Sequence, residues 1–226
     1  MLKNPQQKRH FMKKLDYAHL LETRPWKEME DHFNDLPIHA IKSFNKIKIN
    51  TQDWVDFTVN HFDLAVQKWE EPKPHYSNLG NKWSEINANL GRDKYNSFEL
   101  SFGMLGDSNE QLKDILGLDN IRALGINPNT VLLKFIVKFP GHGAAWHADY
   151  LDSYVTKFPS FDENKVRRYW FSIDDWQDGH VFQVSKTVLS HWNKGEVFNI
   201  PRYIGHATSN FGYRPMYTVS FTGVLD

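Results

Sequence analysis

Two residues apart, His147 and Asp149 offer an imidazole and a carboxylate to a shared partner. They follow an apolar run, Val131-Leu132-Leu133-Lys134-Phe135-Ile136-Val137-Lys138-Phe139, and the Pro140-Gly141 turn that ends it. In extended chain, alternate residues point to the same face, so both side chains can reach one metal ion. A third ligand must come from elsewhere, and His206, in the stretch from Gly205 to Arg214, supplies a candidate. Two imidazoles and a carboxylate on one side of a metal leave three coordination positions open. That arrangement suits non-haem Fe(II) oxygen chemistry, although the same donors accept Mn, Co or Zn. Taken singly, each residue has a plainer reading: His147 as a hydrogen-bonded core histidine, Asp149 as a turn residue, His206 as a strand-edge residue. Only the joint pattern carries the metal reading.

Cations complete the chemical inventory. Arg214 stands eight residues past His206. If the chain reverses between Asn210 and Tyr213, Arg214 begins a strand beside the one carrying His206. Its planar fork is then placed to grip a carboxylate bidentately; otherwise it is a surface arginine next to Pro215. Arg167 and Arg168 are adjacent in an apolar strand, so only one of them can point inward. His142, His180 and His191 have no pattern partner and read as structural or solvated; Trp146 and Trp192 read as core.

The elements that must position these residues change character along the chain. Phe11, Leu15 and Ala18 recur at helical spacing, and a second helix runs from Thr23 with Pro25 in its first turn to Leu36. Phe44 to Ile49 alternates like a strand. Asp53 is a candidate cap for a helix carrying Trp54, Phe57 and Leu64, and Ser108 with Gln111 forms a capping-box pattern before Leu112, Ile115 and Leu116. Between Tyr76 and Gly106 the chain reads as turns and short strands, with clear alternation over 97–102. After Gly125 the pattern becomes short strands between turn residues: 131–139, 145–149, 166–174, 180–185, 196–200, 204–208 and 214–222. One domain is expected over 1–226, with 1–125 as a mostly helical supporting region and 126–226 as a β core carrying the metal site.

The order His147-x-Asp149, then His206, then Arg214 resembles the Fe(II)/2-oxoglutarate-dependent oxygenase superfamily. More closely, it resembles small oxygenases common in phage and marine bacterial genomes, themselves distantly similar to aspartyl/asparaginyl hydroxylases. The similarity runs from about Val131 to Gly223. It includes Pro140-Gly141, Arg168-Tyr169-Trp170, the 175–179 stretch, Trp192 to Phe198 and Asn210. The resemblance implies a mainly β fold with N-terminal helices, built on a double-stranded β-helix (a jelly roll, cupin-like). It implies Fe(II) on His147, Asp149 and His206, 2-oxoglutarate as cosubstrate and O2 as oxidant. Arg214 would bind the distal carboxylate of 2-oxoglutarate, and Asn210 would orient the cosubstrate or only hold the turn. Many relatives place a hydroxyl two residues after this arginine, where this chain has Met216, so Thr218, Ser220 or a tyrosine must make the second contact. By similarity to the hydroxylases, Arg168 faces inward with Trp170 and Ser172 and binds an acidic group on the substrate. The alternative for Arg168 is a surface ion pair with Asp174 or Asp162. The carboxylate at Asp149 implies hydroxylation rather than halogenation, and the expected substrate is a small amino-acid-like metabolite or a protein side chain.

Composition narrows the alternatives. The 226 residues are 40% hydrophobic and 24% charged, a globular balance, and aromatics at 15% suit a thick β core. Twenty-seven basic and twenty-seven acidic residues cancel, so nucleobase oxidation is less favoured, although Lys42, Lys46, Lys48 and 165–168 could form a local basic patch. No cysteine is present, which excludes disulfides and thiolate metal sites. Neither a secretory apolar region nor a membrane-spanning run is evident, and the expectation is cytoplasmic. A non-catalytic metal- or ligand-binding jelly roll is the competing reading from another class, and a structural capsid-type jelly roll a third.

Overall fold

In the run before the Pro-Gly turn, apolar residues occupy both faces of the chain, as expected of a strand buried between two layers. The computed structural model describes residues 41, 43–63, 99–103, 107–149, 151–202 and 204–226, and places this run as β3, Leu132–Lys138. Leu133, Phe135 and Val137 join one core cluster, while Leu132 belongs to another. The other strands are β1 (Ser43–Lys46), β2 (Glu99–Gly103), β4 (Gly143–His147), β5 (Val166–Ser172), β6 (His180–Val184), β7 (Thr187–Leu189), β8 (Glu196–Asn199), β9 (His206–Asn210) and β10 (Met216–Val224).

They form two antiparallel sheets: a six-stranded one in the order β1-β8-β5-β10-β3-β2, and a four-stranded one in the order β4-β9-β6-β7. From β3 onward the chain passes back and forth between the sheets, with only β6 and β7 consecutive in one sheet. First and last strands of this series, β3 and β10, lie side by side through seven register pairs from Met216↔Lys138 to Thr222↔Leu132. That winding is the double-stranded β-helix, or jelly roll.

Helices cover the outer face of the larger sheet. α1 (Thr51–Asn60) buries Trp54 and Phe57, and α2 (Asp107–Leu116) and α3 (Leu118–Ala123) add Leu112, Leu116 and Ile121 to the same cluster. Tyr169, Phe171, Val219 and Phe221 meet them from the sheet. Trp54 packs edge-on against Phe135 with ring centroids 4.9 Å apart. Fully buried rings of this kind contribute about 1.5–3 kcal/mol each. Between the sheets lies a second cluster, with Trp170, Phe198 and Met216 from the larger sheet against Phe182, Val184 and Leu189 from the smaller. The short α4 (Asp152–Lys157) closes a third, smaller cluster in which Tyr154 packs with Leu132 and Val166.

Several local expectations need correction. The cap of α1 is Asn50, whose side chain accepts from the Gln52 N–H at 3.3 Å, and Asp53 instead lies in the first turn, where its charge suits the helix dipole. α2 begins at Asp107, so Ser108 is inside the helix rather than before it. β4 ends at His147, two residues short of the expected strand end. β7 and α4 add to the expected elements. The helices expected before residue 41, and the turns and strands expected between 76 and 98, lie outside the described residues. Among the described residues no helix is long and apolar enough to cross a membrane.

Candidate metal centre

His147 and His206 stand directly opposite one another on β4 and β9. Cross-strand partners bring their Cβ atoms within about 5.5 Å, and the two imidazole centroids are 4.4 Å apart. Asp149 lies on the chain just beyond β4 and not within its pleat, so strand alternation does not account for its position beside His147. The register of β4 on β9 is irregular between Ala144 and His147, as at a β-bulge, where the local ladder is disrupted.

The three side chains converge. One ligand atom from each of His147, Asp149 and His206 lies within 4.8 Å of the others, so the group could hold a metal ion. Nε2 of His147 is 3.5 Å from Asp149 Oδ1, and Nε2 of His206 is 3.4 Å from Asp149 Oδ2. Donors around an ion at ~2.1 Å and right angles to one another stand roughly 3 Å apart. The separations in the cluster stand a little above that value, within reach of one shared small cation. Exposure is uneven: the His206 side chain is 5% accessible, His147 35% and Asp149 44%. The His206 side chain is packed, whereas His147 and Asp149 keep accessible surface.

Neighbouring groups fix the ligands. His206 Nδ1 lies 3.0 Å from the Ile204 carbonyl, which can only accept, so Nδ1 carries a proton and the ring is held with Nε2 toward Asp149. Phe182 packs edge-on against the same imidazole at 5.9 Å. Arg168 Nη2 donates to Asp149 Oδ2 in an ion pair. Removal from water pushes the Asp149 carboxyl up, but the Arg168 guanidinium, followed by His206 and His147, outweighs this and holds it well below the usual carboxylate range. Asp149 is therefore an anion ready to coordinate at neutral pH.

The other expected site residues are distributed unequally. Arg168 is buried on the inner face of β5, as alternation requires, and pairs with Asp149 rather than with Asp174 or Asp162 at the surface. Arg167 points the other way and donates to the Asn164 and Val166 carbonyls. Trp170 is enclosed by Phe182, Trp192 and Phe198 at 4.6, 5.1 and 5.9 Å, so it backs Phe182, and through it His206, from within the core. Thr218 is buried on the inner face of β10, between Ile136 and Ser172. Arg214 does not begin a strand beside β9: it is an exposed residue of the bend before β10, and β10 belongs to the other sheet. Its carbonyl accepts from Asn210 Nδ2 and His180 Nε2 at 2.8 and 3.1 Å. Asn210 donates also to the Lys138 carbonyl and accepts from the Gly212 N–H, so of the two roles open to it, it fills that of holding the turn. Trp192 is core, whereas Trp146 is only half-buried. Ser220, one of the candidates for the second contact, accepts from Arg168 Nε at 3.4 Å, a partnership that depends on the pairing of β5 with β10.

No family model matches the chain, and no curated protein does. Solved structures do align with part of it. One, from Thermus thermophilus, is 13% identical over 42% of this chain and 72% of its own, with a TM-score of 0.30. A predicted oxalate decarboxylase of Thermotoga maritima is 12% identical over 49% of this chain and 76% of its own, also at 0.30. A cupin barrel protein of Salinispora arenicola is 11% identical over 42% of this chain and 63% of its own, at 0.29. The assignment as a double-stranded β-helix rests on the strand order.

Proposed function

We propose that the protein is an Fe(II)- and 2-oxoglutarate-dependent dioxygenase that hydroxylates a small amino-acid-like metabolite or a protein side chain. The observation that carries this reading is the convergence of His147, Asp149 and His206, whose ligand atoms all lie within 4.8 Å of one another. Two neutral imidazoles and one carboxylate suit Fe(II) and leave coordination positions for a chelating keto acid. Bound there with 2-oxoglutarate, iron would supply the activation of O2 and the removal of hydrogen from an unreactive C–H bond.

The chain's own part is positional. His206 presents Nε2 because Ile204 holds its other nitrogen, and Arg168 keeps the Asp149 carboxylate ionised and turned inward. The aromatic pack of Trp170, Phe182 and Trp192 keeps water from the buried side of the site. By the resemblance, the exposed Arg214 guanidinium would bind the distal carboxylate of the cosubstrate. The anionic Asp149 leaves no vacancy for a halide and so favours hydroxylation.

The test is an anaerobic titration of the protein with Fe(II) and 2-oxoglutarate, followed by the weak visible charge-transfer band of the chelate. A band in wild type that requires far more 2-oxoglutarate in Arg214→Ala supports the oxygenase and its cosubstrate contact. No band in folded, metal-loaded protein would leave a non-catalytic metal-binding barrel.

A further inference from the structure

We infer that the site takes its substrate as an extended polypeptide segment, added as a strand along the outer edge of β4. In the smaller sheet β4 is terminal: among the described residues β9 is the only strand beside it. At alternate residues of such an edge the backbone N–H and C=O point away from the sheet, and only another extended chain complements them in full. A free amino acid cannot follow that repeat.

Four strands are terminal in the two sheets, and three of them carry features that discourage pairing. β1 ends in the exposed Lys46, β2 begins with Glu99, and β7 has only three residues and follows the exposed Lys186. Charge and short length at an edge are the usual guards against strand addition. β4 reads Gly143-Ala144-Ala145-Trp146-His147, with no acid, lysine, arginine or proline. Gly143, Ala144 and Trp146 are half-buried, and Gly141 before them is exposed. The register irregularity between Ala144 and His147, elsewhere a way to blunt an edge, falls here beside a metal ligand, another place where bulges concentrate.

The same edge leads to the ligands. Cross-strand partners share a face, with Cβ atoms within about 5.5 Å. His206 has that relation to His147 from β9. A residue of an added strand set opposite His147 on the other side takes up the same relation, so its side chain lies on the face that carries the ligand cluster. Its two neighbours in the segment turn to the opposite face, and the pairing thus presents a single side chain at the metal position. His147 and Asp149, the ligands with accessible surface, are carried by β4 and the two residues after it.

The inference rests on the proposed oxygenase reading for the chemistry done at the metal, whereas the binding itself needs neither O2 nor turnover. The full chain, loaded with redox-inert Zn(II) and 2-oxoglutarate, is used to select binders from a random twelve-residue peptide library displayed on mRNA. Enriched sequences are remade with backbone N-methylation at alternate residues, in each of the two phases, and titrated calorimetrically. Amide hydrogen exchange is followed across the chain with and without peptide.

The expected result is that methylation in one phase weakens binding at least about tenfold while the other phase changes it little, with exchange slowed in β4. No enriched peptide, an equal response to the two phases, or slowed exchange only elsewhere overturns the inference. The visible chelate band answers the separate question. A band with no peptide binding overturns strand addition and leaves an oxygenase of small metabolites; peptide binding with no band upholds strand addition and removes the oxygen chemistry.

Discussion

Removing Asp149 strands a buried cation, and this makes the site's electrostatics measurable without any metal or substrate. In Asp149→Ala the Arg168 guanidinium loses its ionic partner while staying buried. Breaking a fully buried pair from one side costs about 3–5 kcal/mol. Here the carboxylate end is 44% accessible and screened by water, so the expected destabilisation of Asp149→Ala is about 1–3 kcal/mol. The reverse truncation, Arg168→Met, leaves an aspartate that water can solvate and should cost less. The double variant removes both charges and should regain most of the loss, giving a coupling energy of at least about 1 kcal/mol. Urea unfolding of the four proteins in chelator provides the cycle. Its pH dependence has a definite sign. The folded carboxyl is held well below its ordinary value, so the coupling should be fully present above the unfolded value of about 3.9 and fade only as pH falls below it, through the lowered folded value. A coupling under about 0.5 kcal/mol at pH 7, or equal costs for the two single variants, would refute the account of Asp149 as held by Arg168.

His147→Ala should lower metal affinity by more than about 100-fold and abolish turnover, while metal-free stability, read by urea unfolding, changes little because the side chain is partly exposed. Unchanged metal affinity would remove His147 from the ligand set. Gly179 has φ +89, and an added Cβ would lie 2.3 Å from the Gly212 nitrogen, where Gly179's carbonyl also accepts the Phe211 N–H at 2.8 Å. Gly179→Ala should therefore cost about 2–4 kcal/mol, seen as a lowered melting temperature; an unchanged value would show that this turn can shift freely. His180 is buried, and burial, partly opposed by its contact with the Arg214 carbonyl and by Asp174, lowers its pKa from 6.5. The unfolded chain then takes up a proton that the folded chain resists, so stability should fall as pH drops from about 6.5 toward the lowered value. His180→Gln, measured at pH 7.5 and 5.5 in urea, should lack that component.

Much of the barrel was legible because a strand's pattern is local. Val131–Phe139 and 214–222 carry enough alternation or apolar length to declare themselves, and the observed strands β3 and β10 differ from them by a few residues. β7 escaped because three residues, Thr187–Leu189, give no period to read, and it exists mainly as the return arm of a hairpin on β6. α4 was hidden in a stretch read as turn, where Tyr154 is helical in service of the cluster it fills. The ligand trio was readable in order, but its closeness depends on β4 pairing with β9, which no local signal reports. Arg168 shows the same limit: alternation let only one of Arg167 and Arg168 face inward and the resemblance selected Arg168, whereas its partner, nineteen residues earlier, follows only from the crossing between sheets. Arg214 was misplaced because the turn that Asn210 and His180 hold extends past it and delays the strand to Met216.

The position of β10 also governs the order in which the molecule can assemble. It follows every other barrel strand in the chain, yet it lies in the middle of the larger sheet, hydrogen-bonded to β3 on one side and β5 on the other. Until it is synthesised, β3 and β5 have an empty slot between them, and the inner face that orients Arg168 lacks Ser220. Long-range ladders of this kind make for slow folding, since the loop-closure cost precedes the contacts that repay it. Metal capture should consequently come after the barrel closes, as a late consolidation of an assembled site and not as its nucleus.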